Sequence, residues 1–201
     1  MMQPPLLHQK GKEKMLDTLL NKTRKISLIL TWVGGTLIVL SAFLVTLEVI
    51  LRKLFNVSLG GADEISGYAF GVATAFALSY ALFERAHIRV DALMGVLPRP
   101  LHPIVNFLGL ALLVGFAMVV VTMVWGMVGD TLKHGSRSIT PMRVPLAIPQ
   151  IPWLIGWIFF VASGVLIAFV AIKRYVAGDP DGVQELIGVK SIDEQIEDEA
   201  V

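Results

Sequence analysis

Four long apolar runs decide what this chain can fold into. Ile26–Leu51 carries one charge, Glu48, near its end, while Gly67–Phe83 and Ile104–Gly129 carry none. Ala147–Ile172 has Gln150 as its only strongly polar side chain. An α-helix rises about 1.5 Å per residue, so about 20 apolar residues cross the roughly 30 Å hydrocarbon core of a bilayer. The first, third and fourth runs are long enough to cross with some tilt, or with their ends among the headgroups. The second lies at the short end of the range and gains a turn from Gly61–Ser66. A water-soluble domain would carry about 25% charged residues; this chain has 16%, with 55% apolar residues and a mean hydropathy of +0.70. Stretches of about ten residues alternating with period two are missing, which disfavours a membrane β-barrel. The expected fold class is all-α integral membrane, with four transmembrane helices over about 26–51, 62–83, 104–129 and 150–172.

The first run is an anchor rather than a cleaved signal peptide. Its apolar stretch runs 22 residues from Ile26 before Glu48, against about 7–15 for a signal peptide, and no small-residue cleavage site follows. The distribution of arginine and lysine sets the orientation. Lys10, Lys12, Lys14, Lys22, Arg24 and Lys25 precede the first run, Arg85, Arg89 and Arg99 lie between the second and third, and Lys173, Arg174 and Lys190 follow the fourth. These twelve share one side, against five on the other: Arg52, Lys53, Lys133, Arg137 and Arg143. Both termini are therefore expected in the cytoplasm. The chain then divides into a basic cytoplasmic segment over 1–25, a membrane domain over 26–175 and an acidic cytoplasmic tail over 176–201.

Residues 1–9, with Pro4 and Pro5, read as a lead-in without fixed structure. Lys10–Lys25 is either a helix on the anionic inner leaflet, with Met15, Leu16, Leu19 and Leu20 on one face, or a plain positive anchor. In the loop before the third run, Val90, Leu93, Met94 and Leu97 fall at the spacing of one helical face, and Pro98 marks a stop. They predict a short amphipathic helix in the inner interface; the alternative is a loop packed on the bundle. Pro141, Pro145 and Pro149 disfavour a regular helix across Thr140–Pro149, so the fourth span is expected to start near Pro152, a first-turn proline. The tail Asp179–Val201 holds eight of the chain's sixteen carboxylates and reads as solvated and partly disordered.

Reactive groups are sparse. The histidines are His8, His87, His102 and His134, none of them inside a span. No cluster has metal-ligand spacing, no serine has a hydrolase setting, and no glycine loop suits a phosphate. With no cysteine in the chain, disulfides and thiolate metal sites are excluded. No catalytic residue, metal, cofactor or nucleic-acid partner is expected; the lipid bilayer is. Independent transporters place ionisable groups near the midplane or interrupt their helices; here the span interiors hold none. Glu48 and Arg52 are four apart on one helical face, which permits an ion pair; the preferred reading is a pair snorkelling at the outer interface. Asp63 and Glu64 open the second span, where carboxylates suit the helix dipole and Asp63 can cap free N–H groups. Gly67 and Gly71 form a small-xxx-small pair that lets another helix approach, and Gly34, Gly35, Gly156, Ser163 and Gly164 add small residues elsewhere. Trp32, Trp125, Trp153 and Trp157 are read as interface anchors.

These features are spread over a recognisable pattern. Glu48-x-x-x-Arg52-x-x-Phe55 ends the first span, and Asp63-Glu64-Ile65-Ser66-x-Tyr68 opens the second. Arg85-Ala86-His87-Ile88-Arg89-Val90-Asp91 with Leu97-Pro98 follows, then Ser138-x-Thr140-Pro141 and Val144-Pro145-x-x-x-Pro149-x-x-Pro152. Over roughly residues 26–175 the chain resembles the small membrane subunit (DctQ-type) of tripartite ATP-independent periplasmic (TRAP) transporters. A tryptophan often precedes the span-two glutamate in that family; Gly61-Ala62 stand there here. The resemblance implies a partnership with a larger membrane subunit that binds substrate and sodium and moves by an elevator mechanism. The small subunit would enlarge the stationary scaffold, and a soluble periplasmic substrate-binding protein would deliver the solute, typically an organic acid, for sodium symport across the inner membrane. The competing reading is an independent tetraspan channel or small transporter acting as a homo-oligomer, which would need a polar stripe along one helix; none is found.

Overall fold

The computed structural model describes the backbone of residues 5–86 and 101–188, with side chains from Lys14 onward. The chain forms α1 (Pro5–Phe55), α2 (Ala62–Phe83), α3 (His102–His134), α4 (Ala147–Val176) and the short α5 (Pro180–Ile187). The described part of α1 from Lys14, and all of α2, α3 and α4, are long and apolar enough to cross a membrane. Among the described residues the only β pairing is a single bridge between Arg137 and Pro145. Val90, Leu93, Met94 and Leu97, expected on an interfacial helix, lie outside the described residues.

The helix ends differ from expectation in three places. Residues 5–9, read as an unstructured lead-in, are helical, and α1 runs unbroken from Pro5. Proline is well suited to a first helical position because its missing N–H has no intrahelical acceptor there. At the other end of the chain α4 begins at Ala147, not near Pro152. Pro149 falls within the first turn, where it loses no helical hydrogen bond, and Gln150 N already donates to Leu146 O at 3.2 Å. Pro152 therefore sits inside the helix, where its ring leaves the Ile148 carbonyl without its usual donor. The acidic tail, finally, begins as a folded helix.

The helices fall into two compact units. One gathers the described residues of Met1–Lys25, Ala81–Gly115 and Ala162–Val201. Its buried residues include Leu82, Leu110, Val114, Ile167 and Val170, together with Val183 and Ile187 of α5. A Cβ built on Gly164 would lie 2.5 Å from Val114 Cγ2, so glycine sets the approach of α4 to α3 here. The sequence also dictates how α4 stops and α5 starts. Gly178 takes φ +78°, and Asp179 N donates to Arg174 O at 3.0 Å, closing the end of α4. Asp179 then caps α5, accepting from Gly182 N at 2.9 Å, with Pro180 in the first turn. Arg174 donates to Gly182 O at 3.0 Å and to Asp17 at 3.1 Å, tying α5 and the start of α1 to α4. Arg24 pairs with Glu84 at 2.6 Å in the same unit. Replacing Asp179 with alanine should cost α5 about 1 kcal/mol. Amide exchange over Val183–Gly188 should quicken while that of α3 stays unchanged; equal rates in α5 would remove the cap from the account.

The second unit holds Ile26–Tyr80 and Phe116–Val161. Hydrocarbon tails are as apolar as leucine, so helix association in a membrane relies on close packing. Two glycines supply it. A Cβ on Gly34 of α1 would lie 3.0 Å from Cα of Ala73, and one on Gly156 of α4 would lie 2.8 Å from Cβ of Ala75. Both helices thus rest on the same small-residue stretch of α2. Val124 and Val128 of α3 pack with Leu154 of α4, supported by Val120, Val121 and Trp153. The tryptophans divide: Trp32 and Trp125 are exposed, whereas Trp157 stands edge-on to both Trp153 and Phe160 with ring centroids 6.5 and 6.0 Å apart. The first two are free to meet lipid or a neighbouring subunit, while Trp153 and Trp157 pack within the chain.

Polar side chains along these helices are largely self-satisfied. Thr31, Thr36, Ser41, Thr46 and Thr74 each donate to the carbonyl four residues back, at 2.5–2.9 Å. Such back-bonding hides a hydroxyl from its surroundings. It offers neither a reactive nor a solute-binding stripe.

Candidate functional site

The polar chemistry of the second unit gathers at two turns, the link from α1 to α2 and the link from α3 to α4. The first is organised by Glu48. Its side chain is only 4% exposed, and four donors converge on it. Arg52 Nη2 and Nε donate to Oε1 at 2.5 and 3.2 Å, Ser58 Oγ to the same oxygen at 2.6 Å, and Leu59 N to Oε2 at 2.7 Å. Asn56, in a left-handed conformation at φ 53°, ends α1 and turns the chain back; asparagine is among the few residues that adopt this readily. Gly60, at φ 71°, completes the return, and its N–H donates to Ser58 Oγ at 3.1 Å. The ion pair permitted by the spacing therefore forms, but it does not snorkel as a pair. Arg52 is exposed while Glu48 turns inward and fastens the link.

The second turn is held by Glu64. Its side chain accepts from Tyr68 Oη at 2.7 Å, one turn along α2, and from Thr140 Oγ1 in the α3–α4 link. Thr140 Oγ1 lies 2.8 Å from Ser138 Oγ, which accepts from Val144 N at 3.2 Å. Backbone pairs Ser138 N to Val144 O and Leu146 N to Ser136 O, at 2.9 and 3.0 Å, make the link a short hairpin. Its sides begin where Gly135, at φ 58°, closes α3 with Ser136 N donating to Thr131 O at 3.1 Å. Its tip carries Arg143 at φ 46°, a conformation a non-glycine residue holds only when its surroundings impose it. Arg52, Asp63, Glu64, Thr140 and Pro141 line a shallow cavity of about 180 Å³ against the backbone of Gly60 and Gly61.

The remaining expected residues fall apart from these knots. Asp63 is exposed in the first turn of α2, placed for the helix dipole, and makes no side-chain hydrogen bond among the described residues. Its N–H-capping role is not taken up; Gly61 O accepts from Ile65 N at 3.0 Å instead. Gly67 and Gly71 meet nothing within 4 Å of a built Cβ. They border a groove of about 180 Å³ with Tyr68, Met127, Gln150 and Trp153. The close helix contacts within the chain use Gly34, Gly156 and Gly164 instead. Ser58 and Leu59 join the site without having been singled out, and Ser138 and Thr140 were noted only as part of the resemblance. The i, i+4 spacing of Glu64 and Tyr68 was a readable signal for one of these bonds; nothing local pointed to Thr140, 76 residues from Glu64.

Glu48 and Glu64 at these turns are spent on the chain's own connections, and Thr31, Thr36, Ser41, Thr46 and Thr74 on the carbonyls of their own helices. What the fold and site define is an all-helical, multi-pass membrane protein that fastens its own turns. The family model described as Tripartite ATP-independent periplasmic transporters, DctQ component, matches residues 41–178. The chain belongs to this family and is a small membrane component of a TRAP transporter, a multi-pass protein of the bacterial inner membrane. The family is one of transporter components, not of enzymes. No curated protein and no solved structure matches the chain.

Proposed function

We propose that the chain is the stationary scaffold subunit of a sodium-driven TRAP transporter. It enlarges the fixed frame around a larger, elevator-type membrane subunit. That larger subunit carries the solute, an organic acid handed over by a soluble periplasmic binding protein. The observation that carries the reading is the inward commitment of Glu48 and Glu64 at the ends of α1 and α2. A scaffold needs fixed turns, and a carrier needs ionisable groups free to meet its ion or solute. The excess of arginine and lysine on one side supports both termini in the cytoplasm, with residues 1–25 and 176–201 as cytoplasmic segments flanking the membrane domain 26–175. The same orientation puts Val90, Leu93, Met94 and Leu97 at the inner interface and the Glu48 and Glu64 knots at the outer one.

The groove beside Gly67 and Gly71 is the face offered to the larger subunit. Its glycines are open, and small residues let a foreign helix come close. Co-purification from cells expressing both subunits tests this. The unaltered chain should bring down the larger subunit, and Gly71→Leu should bring down much less while still inserting normally. Full recovery by the variant would take this face out of the interface; no recovery by the unaltered chain would overturn the scaffold reading.

A further inference from the structure

The α3–α4 hairpin presents a side chain that neither its own fold nor the spans explain. Ile139 is fully exposed, at 104% of the reference area. The other exposed large apolar residues lie mostly on α1–α4, where lipid or a neighbouring helix can cover them. Ile139 lies outside every helix, at the tip of a loop whose shape is heavily specified. Two backbone pairs, the Ser138–Thr140 hydroxyl contact, the bond from Thr140 to Glu64 and the left-handed Arg143 all fix that tip. Arg137 donates to Arg143 O at 3.3 Å across the hairpin, and both arginines are exposed on the same loop as the isoleucine. Met142 is exposed beside them.

The charge around the tip is one-sided. Lys133, Arg137, Arg143, Arg52 and Lys53 are exposed at these two turns. The carboxylates that might balance them are occupied: Glu48 and Glu64 are bonded into the turns, and Asp130 lies 4.0 Å from Lys133. Asp63 is exposed and has neither a side-chain hydrogen bond nor an ion pair among the described residues.

We propose that this hairpin is a preformed docking knob. Ile139 inserts into an apolar pocket whose acidic rim meets Arg137 and Arg143, on a soluble protein that approaches from the side opposite the termini. The inference rests on the proposed function, which supplies that protein as the transporter's binding protein. The complementary charge gives the partner its chemistry: a cationic collar steers an acidic surface and repels a basic one. The fixed shape favours a protein over the bilayer as occupant. A pocket rewards a side chain already held in place, because little ordering entropy remains to be lost on binding. An isoleucine dipping into lipid needs no such scaffold.

The chain has no cysteine, so Ile139→Cys provides a single labelling site. The labelled chain, assembled with the larger subunit in lipid nanodiscs, is mixed with the purified binding protein of the same transporter. The fluorophore should be reached by a water-soluble quencher and not by a lipid-borne one, and it should become protected when the binding protein is added. In the same assembly, Ile139→Asp should weaken docking about thirtyfold, as loss of a central apolar anchor does, with the thermal midpoint unchanged. Added salt should slow association of the unaltered assembly. Quenching from the lipid side would make the tip a membrane anchor and overturn the proposal. Protection by the larger subunit alone, or unchanged docking of Ile139→Asp, would overturn it equally. Failure of the unaltered assembly to bind the soluble protein at all would instead strike the proposed function, and this inference with it.

Discussion

Leucine at position 156 should destabilise the isolated subunit, whereas leucine at position 71 should not. Both glycines lie inside apolar helices, Gly71 among small residues and Gly156 among large ones. Their surroundings differ. A Cβ on Gly156 meets Cβ and C of Ala75 at 2.8 and 2.9 Å and Phe76 Cδ1 at 3.0 Å. Backbone atoms are among these neighbours, so α4 must move away from α2 to admit even one carbon. Overpacking of this kind costs about 1–3 kcal/mol, occasionally more, and leucine adds three further carbons. At Gly71 nothing lies within 4 Å, and exchanging glycine for leucine in a helix gains close to 1 kcal/mol of propensity by itself. Thermal unfolding in detergent separates the two: Gly156→Leu should fall well below the unaltered chain, and Gly71→Leu should match or exceed it. Equal midpoints for both variants would mean that α4 does not rest on α2 at Gly156.

The second large effect belongs to Glu48. Alanine there strands three partners at once: the Ser58 hydroxyl, the Leu59 amide and the Arg52 guanidinium. The link from α1 to α2 then keeps its left-handed Asn56 but loses what it folds onto. Amide exchange at Leu59 and Gly60 should accelerate about tenfold or more, since hydrogen bonds to a charged group are the stronger ones. Glutamine should fall between, because its carbonyl can still accept from one donor but cannot pair with Arg52. Arg52→Gln should be milder again, as Arg52 is largely exposed and the Ser58 and Leu59 bonds survive it. An unchanged Leu59 amide in Glu48→Ala would show that the carboxylate is a bystander.

These residues also mark how far the sequence could be read. The four spans were legible because bilayer thickness dictates the length of an apolar run, and nothing in the chain competes with that signal. The Glu48–Arg52 pair was legible from helical spacing. Its burial was not, since Ser58 and Leu59 reach Glu48 only after the chain has turned at Asn56. Spacing alone assigned Gly67 and Gly71 a packing role, but glycine shows where helices can approach, not which neighbour comes. The bond from Glu64 to Thr140 depends on two distant segments meeting, and no local pattern encodes it.

Only the start of the acidic tail departs from expectation, since residues 189–201 lie outside the described residues, and it does so for a different reason. Counting carboxylates suggested a solvated segment, yet Asp179-Pro180 is a helix-start signal in its own right. Val183 and Ile187 follow one turn apart and are buried. One of the charges in the count was a cap. Proline misled at α4 in the opposite sense: Pro141, Pro145 and Pro149 read as a barrier, although Pro149 is harmless in the first turn and Pro152, read as the start of the span, is tolerated inside it.

The central claim is that this chain supports transport without carrying the solute. The most direct measurement is uptake into proteoliposomes under an inward sodium gradient, with the soluble binding protein supplied outside. Vesicles holding this chain and the larger subunit should accumulate the solute, and vesicles holding this chain alone should accumulate none. A stable homo-oligomer of this chain that passes solute without the larger subunit would contradict the account.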